Sequence, residues 1–224
     1  MGTPGRSDSE SDEARLGDLL GGSQLVASQL KRLRRIVDAA TRLAEQGGFE
    51  GVKLRDVAEE SEVALGTLYK YFRSKEDILL FALAEEVERM EAAVAAKPVE
   101  GRSPLARVTS FFQQGTRSLT RKPHFARAVL RSLASGDADI TTKVAAFHER
   151  MTRLIVAALR GKPLAPAEGD GGGNGGSERE RQIAFVLQNV WYASLIGWAG
   201  GLHSVRAVAE HVTTAAALMR VKDA

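Results

Sequence analysis

Apolar residues recur along this chain at intervals of three and four, the spacing that keeps one face of an α-helix dry. Leu30, Leu33, Val37, Ala40 and Ala44 form the first stripe, and Gly47-Gly48 ends it. Leu54, Val57 and Ala58 predict a short helix over 54–62. Leu68 and Phe72, four residues apart, predict another over 66–72, with Glu62–Leu65 as the turn between them. Ser74-Lys75-Glu76-Asp77 reads as a capping box, because the Ser74 hydroxyl can accept a free first-turn amide. Behind it Leu80, Leu83, Val87, Met90 and Val94 share one face of a long helix that Lys97-Pro98 closes.

Gly101-Arg102 marks a joint, and Ser103-Pro104 opens a further helix, serine as N-cap and proline where its missing amide is harmless. That helix is expected to reach about Lys122. A shorter one covers His124–Ala134, and one capped by Asp137 reaches Arg160 with Val144, Phe147, Met151, Leu154 and Ile155 inward. Residues 161–177 hold Pro163, Pro166 and a glycine run, which predicts a flexible loop. Its likeness to a phosphate-binding loop is superficial: no strand precedes it and no Gly-Lys-Ser/Thr follows. Helices over about 178–201 and 204–221 finish the chain. No alternating stretch suits a strand, so the fold class is all-α with about nine helices.

Ile183–Leu202 carries no charge over its whole length, which raises a membrane span as one reading. Gln188, Asn189, Ser194 and three glycines lower its hydrophobicity, and the favoured reading is a subunit interface. Gly197, Gly200 and Gly201 would let helices approach, and Trp198 would anchor a homodimer.

Charge sharpens the picture at the N-terminus. Residues 1–22 hold Asp8, Glu10, Asp12, Glu13 and Asp18 against Arg6 and Arg15, which reads as a disordered acidic leader over 1–28. Its acidity and its lack of an apolar core exclude a signal peptide. Residues 29–75 hold ten Lys or Arg against seven Asp or Glu. That fits either a polyanion-binding module or a solvated helix face. Absence of cysteine excludes disulfides and thiolate chemistry and is compatible with a reducing cytoplasm.

Helix, sharp turn and short second helix over Lys53–Phe72 make a candidate helix-turn-helix, whose second helix would enter a major groove. With Leu68 and Phe72 buried, Thr67, Tyr69, Lys70 and Tyr71 face outward, where hydroxyls and an ammonium suit phosphates and base edges. Gly66 would let backbone approach the duplex. The competing reading is a packing corner with aromatic filler.

The run Val63-Ala64-Leu65-Gly66-Thr67-Leu68-Tyr69-Lys70-Tyr71-Phe72-Arg73-Ser74-Lys75-Glu76, with Arg55-Asp56-Val57-Ala58 before it, resembles the signature of the tetracycline-repressor (TetR) family. The likeness is dense over about residues 30–80. It implies DNA contacts by Arg55, Thr67, Tyr69, Lys70 and Tyr71, a phosphate contact by Lys75, and an interface that also takes in Lys53 and Leu65. Two positions depart from the usual pattern: Lys53 stands where many members have a capping Thr, and Ala64 where Ser is usual, each weakening a cap by about 1 kcal/mol. Together with Asn189-Val190-Trp191 and Trp198, they are similar to the subset that represses sterol and cholesterol breakdown, the KstR type.

The resemblance implies a division into a leader (1–28), a three-helix DNA-binding domain (29–75) and a helical ligand-binding and dimerisation domain (76–224). Phe111, Phe112, Leu130, Phe147, Met151, Trp191, Tyr192 and Leu195 would then line a cavity for a hydrophobic effector such as a steroid, a fatty acyl group or an acyl-CoA. Read singly, each of them equally fits a filled core. His124, His148, His203 and His211 show no metal-ligand spacing and no triad pattern, and no cofactor loop is present. The expectation is a cytoplasmic, ligand-responsive DNA-binding repressor and no enzyme, with a helical interaction protein or a bundle enzyme as the alternatives.

Overall fold

The computed structural model describes residues 27–135, 138–164 and 176–219. Among them are nine helices and no strand: α1 (Ala27–Gly51), α2 (Leu54–Glu60), α3 (Leu65–Tyr71), α4 (Lys75–Ala96), α5 (Pro104–Thr120), α6 (Pro123–Leu133), α7 (Ala138–Arg160), α8 (Glu178–Ala199) and α9 (Val205–Leu218). The acidic leader up to residue 26, the Asp137 cap, most of the glycine-rich segment and the expected reach of the last helix to 221 lie outside the described residues.

The chain divides into two compact units, one of residues 1–84 with 127–135, the other of residues 85–126 with 136–224. Two helices, α4 and α6, begin in one unit and end in the other.

In the first unit α1 buries Leu30, Leu33, Ile36, Val37, Ala40 and Ala44 on one stripe. Gly48, with φ 61° and ψ −155°, breaks its regular turns where the glycine pair predicted an end, and Phe49–Gly51 follow as a final turn. Ion pairs tie α1 to the elements beside it, Arg42 to Glu60 at 2.6 Å and Arg35 to Glu62 at 3.2 Å.

In the second unit α5 starts as its sequence demands, with Ser103 Oγ accepting from the Ala106 amide and Pro104 in the first turn. The carboxy end of α7 is capped by a side chain from α5. Arg107 donates through Nε to the Ala158 carbonyl at 2.9 Å and through Nη2 to that of Leu159. Such donors satisfy carbonyls that a helix end leaves orphaned. The start of α8 is a full capping box, Ser177 and Glu180 exchanging hydrogen bonds. The same Glu180 binds Arg160 through two contacts of 2.8 Å.

Candidate nucleic-acid interface

The candidate helix-turn-helix is built in the first unit from α2 and α3. Lys53 holds the N-cap of α2 in an extended conformation with no side-chain cap bond, and Ala64 does the same for α3. The turn between them closes as a Schellman motif. Ser61 ends α2, Glu62 takes φ 54°, and the amides of Glu62 and Val63 reach back to the carbonyls of Glu59 and Ala58, each at 3.0 Å. The Ser61 hydroxyl, buried, donates to the Val57 carbonyl at 2.6 Å and locks the corner.

That corner fixes which face of α3 points outward. Leu68 and Phe72 are fully buried, and the Phe72 ring meets Phe81 edge-on at 5.5 Å. Tyr69 is 52% exposed and Lys70 is exposed beside it. Lys53, Arg55 and Gly66 are exposed too, while Leu65, Thr67 and Tyr71 are half-buried. A Cβ added at Gly66 would meet nothing within 4 Å, so backbone there is open to an approaching molecule. Lys53, Arg55 and Lys70 enter no ion pair among the described residues.

Lys75 is placed differently. Its Nζ donates to the Phe49 carbonyl at 3.1 Å, lies 3.8 Å from the centre of the Phe49 ring, and stands 3.5 Å from a Glu50 oxygen. Arg131 of α6 stacks on the same ring at 4.2 Å and pairs with Glu50 at 2.8 Å. The break at Gly48 is what turns Phe49 and Glu50 toward these two cations. Nothing in the local sequence announced this cluster, since Arg131 is 81 positions from Glu50. Ser74 caps α4 as its sequence predicts: its hydroxyl accepts from the Asp77 amide at 3.2 Å, and the Asp77 carboxylate accepts from the Arg73 amide at 3.0 Å.

Of the residues expected to line an effector cavity, Leu130 lies in the first unit and the other seven in the second. Phe111, Phe112, Leu130, Met151, Trp191 and Leu195 are buried, Phe147 and Tyr192 half-buried. Trp191 packs against Phe112 at 5.5 Å and donates its indole N–H to Thr116 Oγ1 at 2.8 Å. A groove of about 740 Å³ lies elsewhere in this unit, between α5 and α9, with Thr116, Arg117, Ala209 and Thr213 among its walls. None of the eight expected residues lines it.

The expected interface residues also make contacts within the chain. Trp198 is only 7% exposed within the single chain and has little area to offer a partner. Gly197 faces the chain's own His203, whose ring nitrogen would lie 2.4 Å from an added Cβ. Gly201, at φ 79°, is the left-handed residue that stops α8, with the Leu202 amide returning to the Gly197 carbonyl at 2.8 Å. Gly200 caps the same helix end. The apolar surface of α8 belongs instead to Phe185, Val186 and Ile196, at 63%, 41% and 41% exposure. No helix among the described residues is long and apolar enough to cross a membrane, and no three His, Cys, Asp or Glu side chains there cluster as metal ligands.

Comparison with known proteins agrees with this geometry. Residues 36–81 match the family model of bacterial regulatory proteins of the tetR family, and residues 101–219 match the tetracyclin repressor-like C-terminal domain. The HTH-type transcriptional repressor KstR of Rhodococcus jostii is 36% identical over 171 residues, 76% of this chain and 74% of the relative. A TetR transcriptional regulator from Rhodococcus sp. RHA1 superposes with a TM-score of 0.73 at 21% identity, over 88% of this chain and all of that one. The Thermus thermophilus repressor FadR superposes at 0.56 with 23% identity, over 84% and 92%. The chain belongs to the TetR family of helix-turn-helix transcriptional regulators.

Proposed function

We propose that this chain is a cytoplasmic, ligand-responsive repressor that grips double-stranded operator DNA as a homodimer and controls lipid or sterol catabolism genes. In this division of labour residues 29–75 read DNA, while 76–224 take the effector and pair the subunits. The observation that carries the DNA reading is α3: Tyr69 and Lys70 stand in solvent without partners directly over buried Leu68 and Phe72. Unpaired cations release counterions when they meet phosphates, so affinity should fall steeply with salt.

The lipid reading rests on kinship. KstR is the named relative over three quarters of the chain, and FadR of Thermus thermophilus is described in complex with lauroyl-CoA. The effector is accordingly a molecule with a large hydrophobic body: a steroid, a fatty acyl group or an acyl-CoA. Pairing would use the exposed apolar face of α8, and light scattering that finds a dimer which Ile196→Asp converts to a monomer would support that face. α6 would transmit the signal, because its far end grips Phe49 and Glu50 through Arg131 and so bears on Lys75. A ligand shifts DNA binding only by its differential affinity for the two arrangements.

Gel-shift with DNA from upstream of the protein's own gene, across a salt series, tests the first half. Sterols, fatty acids and their coenzyme A thioesters added to that complex test the second. A response only to small polar or cationic compounds would overturn the lipid reading and leave the repressor standing.

A further inference from the structure

Within the second unit one polar pair interrupts an apolar neighbourhood. His148 of α7 and Gln188 of α8 meet across forty residues of sequence, the Gln188 amide nitrogen 2.8 Å from His148 Nδ1. Gln188 is only 4% exposed, and its Oε1 is buried with no hydrogen-bond partner. No contact among the described residues engages His148 Nε2. Around the pair along the same two helices stand Phe147 and Met151 on one side and Trp191, Tyr192 and Leu195 on the other, with the Phe147 and His148 rings edge-to-face at 5.7 Å.

Buried amides without partners are rare, because leaving one orphaned carries the desolvation penalty with no return. Something is expected to hydrogen-bond there. With the amide nitrogen donating to Nδ1, the pair presents Gln188 Oε1 as an acceptor and His148 Nε2–H as a donor. If the amide is turned about, Oε1 accepts from Nδ1–H, the amide nitrogen becomes the free donor, and Nε2 becomes the free acceptor. Either arrangement leaves one acceptor group and two donor N–H groups. Burial also keeps the His148 pKa below its usual value despite the hydrogen bond from Gln188, so the ring is neutral at neutral pH and retains an acceptor.

We propose that His148 and Gln188 are the polar anchor of the effector site and select a ligand that carries a hydroxyl group on an otherwise apolar body. This rests on the hydrophobic-effector reading above and narrows it. A hydroxyl donates and accepts at once and engages the acceptor together with one of the donors. A ketone only accepts and leaves the site's acceptor unpaired, and sites built around hydroxyl recognition reject such analogues strongly.

The test compares 12-hydroxyoctadecanoic acid with 12-oxooctadecanoic acid, and cholestanol with cholestanone, by thermal shift and operator release, on wild type and on Gln188→Leu. Wild type should bind the hydroxyl member of a pair at least tenfold more tightly. Gln188→Leu should bind both members within twofold of each other, and without ligand it should melt close to wild type, since leucine removes the unpaired Oε1 while His148 Nδ1 loses its one partner. Equal binding of both members by wild type overturns the anchor while leaving the lipid reading intact. So does a preference that survives in Gln188→Leu, or a fall of several degrees in that variant's melting temperature, which would mark the amide as structural. If no compound of either pair binds, the hydrophobic-effector reading fails and the anchor falls with it.

Discussion

On α3 in the first unit, Tyr69 and Lys70 stand in solvent with no partner, whereas in the second unit Arg150 and Arg160 are drawn into two-pronged pairs with Glu91 and Glu180. The contrast extends to helix length: α3 has seven residues, α7 twenty-three and α8 twenty-two. In the short helix the polar groups are left to solvent, and the fold relies on Leu68, Phe72 and the Ser61–Glu62 corner. In the long ones charge is used internally, to join one helix to another. A residue's charge therefore says little about its task until its partner is known.

The largest effect should come from breaking the internal use of charge. The Arg160 guanidinium, with help from the Ser177 amide and hydroxyl, holds the Glu180 carboxyl down to about 2 against the opposing push of burial. A depressed carboxyl contributes stability above its ordinary value near 4.5 and loses it as pH falls toward 2. Glu180→Gln should lower unfolding stability at neutral pH by about 3 kcal/mol. It should also flatten the acid limb between those two pH values, as read by chemical denaturation at stepped pH. Acid unfolding unchanged from wild type would show that this pair does no such work.

Next come the outward groups. Tyr69→Ala or Lys70→Ala should weaken operator binding by about 1–3 kcal/mol with melting temperature unchanged. Arg206→Ala, on a solvent-exposed pair of α9, should leave operator affinity alone. If all three behave alike in a binding titration, the contrast between the units dissolves.

Gly48→Ala probes the corner that presents Phe49. Its backbone lies in a region nearly reserved for glycine, yet an added Cβ would touch nothing within 4 Å, so strain acts alone. A loss of about 1–2 kcal/mol is expected. The smallest effect is a gain: Ala64→Ser supplies the hydroxyl that the start of α3 lacks and should add about 0.5–1 kcal/mol in thermal unfolding, with operator affinity kept.

The first unit was the more legible because its evidence is local. Leu68 and Phe72 four apart, Ser74 three before Asp77, and the glycine pair after Ala44 each act within one or two helical turns, and each forms the expected structure. Trp198 was ambiguous because a large apolar residue on an uncharged helix looks the same whether it faces a partner or the chain's own core. Gly197 and Gly201 were ambiguous for a related reason, since small residues serve both close approach and helix termination. The Phe49–Arg131 stack, the groove between α5 and α9 and the His148–Gln188 contact join residues dozens of positions apart. Periodicity within one helix cannot report such encounters.

The two caps in the second unit have a consequence for how the protein can change. Arg107 secures the end of α7, the Leu164 amide reaches the Val94 carbonyl at 3.4 Å, and Ser177 with Glu180 secures the start of α8. The connection between Leu164 and Gly176 thus joins two ends that are each anchored without it. Doubling the length of such a connection adds only about 0.6 kcal/mol of closure entropy. An epitope or fluorescent reporter spliced between residues 165 and 175 should leave both helix ends, and the melting temperature, nearly unmoved.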